Sequence, residues 1–352
     1  MSTPVWLMGA SGLLAGEFCR LVEQHPNLNL VGAISREEGV SLSSLHPHLS
    51  HSVETVSLAT AAATISERNE PCVLVLGLPH AQSATAWKTL RAELGSAVEK
   101  ISVVDLSADY RLADAATYAK WYGQDHPDLD ELPQFVYGLP EVHREKIVGS
   151  KRVAAPGCFA TALQLATVPA AAAKLVSTDS PWILNAVTGS SGSGIAPKAG
   201  THHPHCNGSL WAYGLGGHRH EAELEQALVP HGFTPEICFV PHSGPFVRGI
   251  HLTAVLPLAG EITTDEARAV YAAAYEGSPF VEVLPEGVPD LRRVAGSNRV
   301  SIGVHVKGNS LVCLCTLDNV VKGGSGQALQ CLNLMQGWPE ETGLPIAGLG
   351  VL

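Results

Sequence analysis

Charged side chains are scarce in this sequence, and the basic ones are scarcer than the acidic ones. Asp, Glu, Lys and Arg make up 16% of the 352 residues, whereas roughly 25% is typical of a soluble domain. Lys and Arg number 22 against 33 Asp and Glu, which gives a formal charge of −11. Because proteins that bind nucleic acids neutralise phosphates with many basic side chains, we expect no nucleic-acid partner. A small anionic substrate is still compatible with this composition, since one or two well-placed cations are enough to bind it.

The sequence also lacks a long apolar run. No stretch of 18 consecutive apolar residues occurs, and the residues before Gly9 contain neither a basic segment nor a cleavage pattern. A membrane-spanning helix needs roughly 20 apolar residues, and a secretory signal needs both of the missing features. We therefore expect a cytoplasmic protein that does not contact a membrane.

Paired cysteines are absent as well. The eight cysteines are scattered along the chain and no two stand in a Cys-x-x-Cys arrangement, which argues against a disulfide framework and against a structural zinc site. Those in or beside apolar, strand-like runs are expected in the core: Cys72, Cys238, Cys313 and Cys315. We predict that seven of the eight are packing residues and that Cys158 is the exception.

Histidine, in contrast, is in surplus, with 16 residues. His202, His203, His205 and Cys206 crowd into one short segment, which suggests a metal site. Pro204, the tight spacing and the lack of a second ligand cluster favour a loop that packs near the active site instead. We predict no metal.

The first 106 residues alternate between strand and helix patterns. Apolar, strand-like runs occupy 5–8, 28–34, 73–78 and 101–106, and helix-like segments occupy 13–23, 56–68 and 81–94. Alternating strands and helices imply an α/β fold with a parallel, doubly wound sheet.

After about residue 155 the pattern changes. A helix is predicted at 160–175, strands at 182–187, 236–241, 246–256, 280–284, 299–306 and 311–317, and a last helix from Gly326 to about Gln336. Thr263 and Glu266 form a capping-box pattern that starts another helix. Strands in close succession favour an α+β domain built on a mostly antiparallel sheet. Single cores stop growing at roughly 250 to 300 residues, so a chain of this length predicts two domains.

A glycine-containing turn between the first predicted strand and the first predicted helix is a candidate nucleotide site. Gly9, Gly12 and Ala15 lie where backbone N–H groups and the helix dipole can hold a pyrophosphate. The second strand ends at Ser35 and Arg36, which suit a 2′-phosphate better than a ribose hydroxyl. The motif therefore predicts NADP as the cofactor.

Cys158 stands apart from the other thiols because it follows Pro156 and Gly157 at the start of an apolar helix. There the helix dipole and the N-terminal N–H groups favour the thiolate, which predicts a nucleophile. A small buried residue at a helix start is the alternative. His218 and His220 lie near another predicted helix start, and either imidazole can serve as the acid/base partner of a thiol.

Three further segments combine Arg or Lys with small residues at strand ends. They are 105–111 with Arg111, 245–249 with Arg248, and 318–327 with Lys322. Each cation alone is more often part of a surface ion pair. In a chain that also carries a dinucleotide-binding turn and a candidate thiolate, they are typical of groups that hold phosphate and carboxylate.

Taken together, nine segments resemble the N-acetyl-γ-glutamyl-phosphate reductases of arginine biosynthesis. They run in the family order over essentially the whole chain: Gly9–Gly12, Leu106–Arg111, Tyr137–Glu141, Pro156–Cys158, His218–His220, Val247–Gly249, Gly296–Arg299, Asp318–Gly323 and Trp338–Leu344. The resemblance implies a Rossmann dinucleotide-binding domain at 1–156 and 319–352. It also implies an α+β catalytic and dimerisation domain at 157–318, like that of the aspartate-semialdehyde dehydrogenases.

The resemblance also implies a reaction, the NADPH-dependent reduction of N-acetyl-γ-glutamyl phosphate to the semialdehyde through a thioester on Cys158. His218 is then the expected acid/base, and His220 is a second candidate. Substrate contacts are expected at Ser107, Arg111, Ser191, Gly192 and Arg248. Cofactor contacts are expected at Gly9, Ser11, Gly12, Leu13, Leu14, Ser35, Arg36, Gly77, Pro79, Asn319 and Gly323. The expected assembly is a homodimer or homotetramer.

Two alternatives stay open at this point. Phe159 and Ala160 replace the Tyr-Pro that arginine-pathway members often have, and the segments 190–194 and 202–204 are similar to a sister branch. That branch reduces aminoadipyl phosphate bound to an acidic carrier protein in lysine biosynthesis, so such a carrier is the alternative partner. The other alternative is a catalytically silent NADP-binding module, although a binder needs neither Cys158 nor the histidines.

Overall fold

The computed structural model describes residues 2–50 and 53–350, which form two compact units. The first unit extends to Pro156 and includes Gly324–Leu344, and the second comprises Gly157–Gly323 and the segment that begins at Pro345. The sequence predicts a first domain of residues 1–156 and 319–352 and a second domain of residues 157–318.

The two divisions differ only near the end of the chain, and hydrogen bonds within the second unit account for part of the difference. The N–H of Asn298 donates to the carbonyl of Pro345 at 2.8 Å, and the N–H of Leu349 donates to that of Ala295 at 2.8 Å. These bonds join the last described residues to the second unit.

A parallel sheet is the centre of the first unit. Its strands are β1 (Thr3–Met8), β2 (Leu28–Ile34), β3 (Thr55–Val56), β4 (Cys72–Leu76), β5 (Ile101–Asp105), β6 (Val136–Tyr137) and β7 (Arg152–Ala154). They lie in the order β3-β2-β1-β4-β5-β7-β6, with each neighbouring pair parallel. The order reverses between β1 and β4, where sheets of this type bind ligands at the carboxyl ends of the strands. The predicted doubly wound fold is confirmed.

Helices connect these strands. They are α1 (Leu13–Glu23), α2 (Leu42–Leu45), α3 (Leu58–Arg68), α4 (Gln82–Leu94), α5 (Ala115–Tyr122) and α6 (Pro140–Ile147). All five residues of β4 are buried, and the strand packs in one apolar cluster with Trp87 and Leu90 of α4. A continuous apolar run is typical of a parallel strand covered on both faces, and it explains why this part of the sheet could be predicted.

The second unit is built on a mixed sheet. Its helices are α7 (Cys158–Ala172), α8 (His203–Cys206), α9 (His220–Leu228) and α10 (Thr264–Ala274), and its strands are β8 (Trp182–Thr188), β9 (Trp211–Ala212), β10 (Ile237–Ser243), β11 (Ile250–Pro257), β12 (Val281–Val283), β13 (Val300–Lys307) and β14 (Ser310–Leu317). The strand order is β12-β13-β14-β11-β8-β10-β9. Four of the six pairings are antiparallel, which confirms the predicted α+β unit.

The strand predicted from residue 246 begins only at Ile250, because Gly249 adopts a φ of +121° that strands do not use. Thr263 caps α10 and forms the predicted capping box with Glu266.

One face of the second sheet is covered by helices of the same unit, and the other is partly exposed. Residues of β8 and β11 alternate between buried and less buried, as expected for a sheet with one covered face. Cys238 lies on the less buried face of β10 and is exposed. The prediction that this thiol is a core residue was wrong, because the apolar run around it does not reveal that only one face of the strand is covered.

The last helix, α11 (Gly326–Met335), belongs to the first unit and is fully buried. The Ser325 hydroxyl donates to the carbonyl of Leu14 at 2.7 Å, and Gln327 Nε2 donates to the carbonyl of Gly138 at 2.7 Å. Within the described residues, none of the helices combines the length and the apolar character that crossing a bilayer requires.

Candidate active site

Cys158 is the first residue of α7, and Gly157 before it is the N-cap, with φ −66° and ψ 149°. No side chain caps this helix end and its first turn holds no acidic residue. The first N–H groups of a helix lack intrahelical acceptors and carry the positive end of the dipole. The half-buried thiol therefore lies where both a thiolate and a developing oxyanion are stabilised.

His220 packs against the main chain just before this thiol. A Cβ built on Gly157 would lie 2.2 Å from His220 Nε2, so only glycine fits at this position. Glu223, which is 1% exposed, accepts a hydrogen bond from the Gly157 N–H through Oε2 at 3.0 Å. Its Oε1 lies 4.0 Å from His220 Nε2. Glu223 thus holds the start of α7 by a hydrogen bond and lies beside the imidazole.

His218 is held in a single tautomer by its own backbone. The N–H of His220 donates to His218 Nδ1 at 3.2 Å, so in the neutral ring the proton is on Nε2. The ring meets Phe159 edge-on at 5.6 Å. Burial, and secondly the charge of Arg219, lower the pKa of His218 to about 4. At neutral pH this imidazole is therefore uncharged, and its Nε2–H is a hydrogen-bond donor.

Tyr213 also belongs to this group. Its ring lies 6.2 Å from that of His218. Burial, and secondly the charge of Cys158, raise the pKa of its phenol above the ordinary value. The phenol therefore stays protonated near the thiol, as a second neutral donor.

Arg248 is oriented by a buried carboxylate in the same unit. Its Nε donates to Asp318 Oδ2 at 3.1 Å. Asp318 is fully buried and also accepts the N–H groups of Gly296, Val320 and Val321 at 2.6, 2.8 and 3.0 Å. The guanidinium is thereby fixed on a rigid turn, which suits it to bind an anion.

Asn319 joins two of the predicted substrate segments. Its Oδ1 accepts the N–H of Gly249 at 2.7 Å and its Nδ2 donates to Ser191 Oγ at 2.9 Å. Gly192 lies beside it, since a Cβ built there would be 3.8 Å from Asn319 Nδ2. Gly323 approaches the nucleophile, because a Cβ built on it would lie 2.7 Å from that of Cys158. Contacts of Asn319 and Gly323 with a cofactor stay predictions.

The predicted nucleotide turn lies at the start of α1 in the first unit. Gly9 has a φ of +90°, and a Cβ on it would lie 2.6 Å from the carbonyl oxygen of Gly77. Gly12 caps α1 without a side-chain hydrogen bond, and a Cβ there would meet nothing within 4 Å. Leu13, at the first position of the helix, is 36% exposed. The close approach at Gly9 and the open space at Gly12 fit a bound pyrophosphate.

Two cavities of about 310 and 320 Å³ flank this turn, and Ser35 and Arg36 line both. Ser11 lines the second cavity together with Gly9. Arg36 is exposed, and in the described part of the chain it forms no ion pair. An exposed guanidinium at the end of β2 fits the 2′-phosphate of NADP.

A buried carboxylate from a distant segment caps α4. Asp109 Oδ1 accepts the N–H of Ala81 at 2.6 Å and Oδ2 accepts that of Ala84 at 2.9 Å. Ala81 has a φ of +65°, which L-residues rarely adopt. Asp109 thereby stabilises the loop of Gly77 and Pro79 that follows β4.

Ser107 and Arg111 follow β5 and are 3% and 7% exposed. The Ser107 hydroxyl donates to Asp105 Oδ2 at 2.9 Å, and its N–H donates to Oδ1 at 2.9 Å. Arg111 donates through Nε to the carbonyl of Ala155 at 2.8 Å. Both predicted substrate contacts are thus held rigidly at the carboxyl end of the sheet.

The histidine-rich segment forms α8 and lies in the second unit. His203 and His205 are exposed, and His205 Nδ1 donates to the carbonyl of Ala199 at 2.9 Å. Its role near the substrate stays a prediction.

Sequence reasoning missed Glu223 and Tyr213, and it singled out the segments 105–111 and 318–327 without assigning a role to Asp105, Asp109 or Asp318. Glu223 had a signal in the sequence, since it follows His220 by three residues on a helix and therefore shares its face. The others act through backbone N–H groups or electrostatic proximity that only the fold creates.

Known proteins match both units. A family described as "Semialdehyde dehydrogenase, NAD binding domain" matches residues 4–150, and one described as "Semialdehyde dehydrogenase, dimerisation domain" matches residues 158–319. Similar proteins named N-acetyl-γ-glutamyl-phosphate reductase come from Saccharopolyspora erythraea, 39% identical with 99% of each chain covered, and from Synechococcus elongatus, 38% identical with 97% of this chain and 96% of that one covered.

Solved structures with lower identity share the fold. Aspartate semialdehyde dehydrogenase II from Vibrio cholerae, complexed with ASA, has a TM-score of 0.68 at 14% identity and covers 96% of this chain and 99% of its own. Aspartate semialdehyde dehydrogenase from Candida albicans, solved with NADP, has a TM-score of 0.63 at 14% identity, with the same coverage.

Proposed function

The chain belongs to the N-acetyl-γ-glutamyl-phosphate reductase family of semialdehyde dehydrogenases, and from this membership we propose its reaction. It reduces N-acetyl-γ-glutamyl phosphate to N-acetylglutamate semialdehyde with NADPH, as a step of arginine biosynthesis. The observation that carries the proposal is Cys158 at the uncapped start of α7, with His220 packed on the preceding glycine.

Cys158 performs the first half-reaction. Its thiolate attacks the carbonyl carbon of the acyl phosphate, the C–O bond breaks, phosphate leaves and a thioester remains. Backbone N–H groups at the start of α7 stabilise the tetrahedral oxyanion, a contribution of about 3 kcal/mol for one such donor.

Reduction of the thioester is the second half-reaction. NADPH, when bound, supplies the hydride. Cys158 then carries a thiohemiacetal, and His218 and Tyr213 are the neutral donors available to its oxygen in the second unit. We propose that His220, the second of the two predicted acid/base candidates, moves the proton as the semialdehyde is released; its packing on Gly157 beside the thiol supports this choice.

Residues of the first unit would hold the cofactor: the turn at Gly9 and Gly12 would bind the pyrophosphate and Arg36 the 2′-phosphate of NADP. The substrate contacts expected of Ser107, Arg111 and Arg248 are also part of the proposal, since hydrogen bonds within its own unit hold each side chain in place.

The assembly is part of the proposal. The less buried face of the second sheet presents Ile183, Asn185 and Val187 of β8 and His251, Thr253 and Val255 of β11. A partly apolar sheet face in a unit that matches a dimerisation domain supports a homodimer formed through this face. The cytoplasmic location expected from the sequence also remains a proposal.

Cys158→Ser tests the function. We expect NADP+ binding to stay within about twofold while phosphate-dependent oxidation of N-acetylglutamate semialdehyde falls at least about 1,000-fold. Cys238→Ser, which changes an exposed thiol of the same unit, should keep full turnover. Near-normal turnover of Cys158→Ser would exclude the thioester mechanism. A higher kcat/KM for a carrier-bound aminoadipate semialdehyde would overturn the proposed substrate.

A further inference from the structure

The loop between β4 and α4 forms part of the wall of both cavities that flank the nucleotide turn. Leu78 and Gln82 line the two cavities together with Arg36, and Ala81 lines the cavity of about 310 Å³. All the lining residues belong to the first unit. The conformation of this loop therefore sets the space that is open beside Arg36.

The start of the loop is held by the parallel sheet. The N–H of Gly77 donates to the carbonyl of Met8 at 2.8 Å, and the strands that precede the loop and the nucleotide turn, β4 and β1, are neighbours. A Cβ on Gly9 would lie 2.6 Å from the carbonyl oxygen of Gly77, so the loop and the nucleotide turn are in direct contact. The sheet thus fixes this end of the loop.

The other end of the loop has an unusual backbone conformation. Ala81, the N-cap of α4, has φ +65° and ψ −16°, and it provides no side-chain cap. Non-glycine residues rarely adopt this left-handed conformation, and they keep it only where surrounding contacts impose it. The N–H groups of Ala81 and of Ala84 have no acceptor within α4, because they belong to the start of the helix. This end of the loop therefore depends on a group from elsewhere in the fold.

Asp109, from the segment that follows β5, is that group. Its side chain is fully buried, Oδ1 accepts the N–H of Ala81 at 2.6 Å, and Oδ2 accepts that of Ala84 at 2.9 Å. Tyr118 donates its hydroxyl to Oδ1 at 3.3 Å and so orients the carboxylate. One buried side chain thus joins the last residue of the loop to the first turn of α4.

We propose that Asp109 is a positioning residue for NADP. By holding Ala81 in the left-handed conformation, it keeps the loop after β4 in the shape that receives the half of the cofactor with the 2′-phosphate. The inference rests on the proposed function, which assigns that phosphate to Arg36. Without the two acceptors the loop would adopt other conformations, and the apparent Kd would rise by the reciprocal of the fraction that stays competent to bind.

Adenosine 2′,5′-bisphosphate is the probe, because it consists of the half of NADP that is assigned to these cavities. Isothermal titration measures its Kd and that of NADP+. A wild-type protein that bound neither ligand would contradict the proposed function itself. A wild type that binds both, together with an Asp109 variant of unchanged affinity, would overturn only the role of Asp109.

Asp109→Asn should raise the Kd for the probe and for NADP+ about 10-fold, because an amide offers one oxygen where two N–H groups need acceptors. Ala81→Gly in the same background should tighten binding about threefold, since glycine adopts a positive φ without strain. This rescue separates a role through the loop from a general loss of stability. No recovery of affinity would contradict the role assigned to Ala81.

Asp128→Asn is the matched control. Asp128 is 1% exposed and belongs to the same unit, but it accepts from the side chains of Arg91 and Tyr110 and not from the loop. Its Kd for the probe should stay within about twofold of wild type, even where urea unfolding shows a similar loss of stability. An equal loss of affinity in Asp128→Asn and Asp109→Asn would assign both effects to stability and overturn the proposal.

Hydrogen exchange of the wild type tests the same idea without a variant, which matters if Asp109→Asn does not fold. The amides of Ala81 and Ala84 should already exchange slowly in the absence of ligand, because Asp109 accepts both. Adenosine 2′,5′-bisphosphate should slow them by no more than about threefold. Fast exchange that becomes slow only when the probe binds would show that the ligand, and not Asp109, shapes the loop, and it would overturn the proposal.

Discussion

The helices α1 and α7 begin in the same way yet serve opposite purposes. Each has a glycine N-cap in extended conformation, Gly12 and Gly157, with no side-chain cap and no acidic residue in the first turn. Around Gly12 a Cβ would meet nothing within 4 Å, whereas at Gly157 it would collide with His220 at 2.2 Å. The start of α1, which has free space beside Gly12, can receive an anion from solution. The start of α7, where His220 fills that space, can stabilise the thiolate of Cys158. The two helix starts therefore differ both in their first residue, Leu13 or Cys158, and in the neighbours that surround the capping glycine.

Gly157→Ala is the strongest test of this contrast. The added Cβ must push His220 away from the start of α7, so we expect kcat to fall about 100-fold and stability to fall by about 1–3 kcal/mol. Gly12→Ala is the matched control, because its φ of −72° suits any residue and the space is open. Its kcat at saturating NADP+ should stay within about twofold, while its Kd for NADP+ rises because the added Cβ enters the space proposed for the pyrophosphate. Equal losses of kcat in the two variants would erase the distinction between the two helix starts.

Arg36→Ala tests whether the dinucleotide proposed to bind at the start of α1 carries a 2′-phosphate. Loss of a charge-assisted hydrogen bond worth about 1.5–3 kcal/mol should raise the Kd for NADP+ by roughly 10- to 100-fold. The Kd for NAD+, which lacks that phosphate, should stay within about twofold. Isothermal titration with both cofactors measures the difference, and a parallel loss of both affinities would assign Arg36 a structural role instead.

Local patterns in the sequence predicted most of the architecture. The limits of α1 and β2 agree with the structure residue for residue, because the turn before α1 and the apolar spacing of both elements are local signals. The strands β6 and β7 were missed, since two or three residues are too short to carry a periodic pattern. The exposed position of Cys238 was missed because an uncovered sheet face follows from how the unit is assembled.

The candidate site could be predicted only in part, for a related reason. Cys158 and its helix start are adjacent in sequence, so their chemistry is visible there. The sequence does not show which of His218 and His220 is the acid/base. That choice depends on the packing of His220 against Gly157 and on the burial that lowers the pKa of His218. The commitment of Ser107 to Asp105 requires the turn after β5 to be known in atomic detail.

The pH dependence of stability gives the finest comparison, because a buried histidine and a buried aspartate shift it in opposite directions. The pKa of His218 falls from 6.5 in the unfolded chain to about 4 in the folded one. Its contribution to the free energy of unfolding is therefore complete above pH 6.5 and is lost as the pH falls toward 4.

The pKa of Asp105 rises from 3.8 in the unfolded chain to about 7 in the folded one. Its contribution to the free energy of unfolding is therefore complete below pH 4 and is lost as the pH rises through 7. Urea unfolding at pH 5, 6 and 7 should therefore show wild type gaining about 1–2 kcal/mol relative to His218→Gln over this range and losing a similar amount relative to Asp105→Asn. If both differences in the free energy of unfolding between wild type and variant changed with pH in the same direction, one of the two groups would be more accessible to water than its position in the fold indicates.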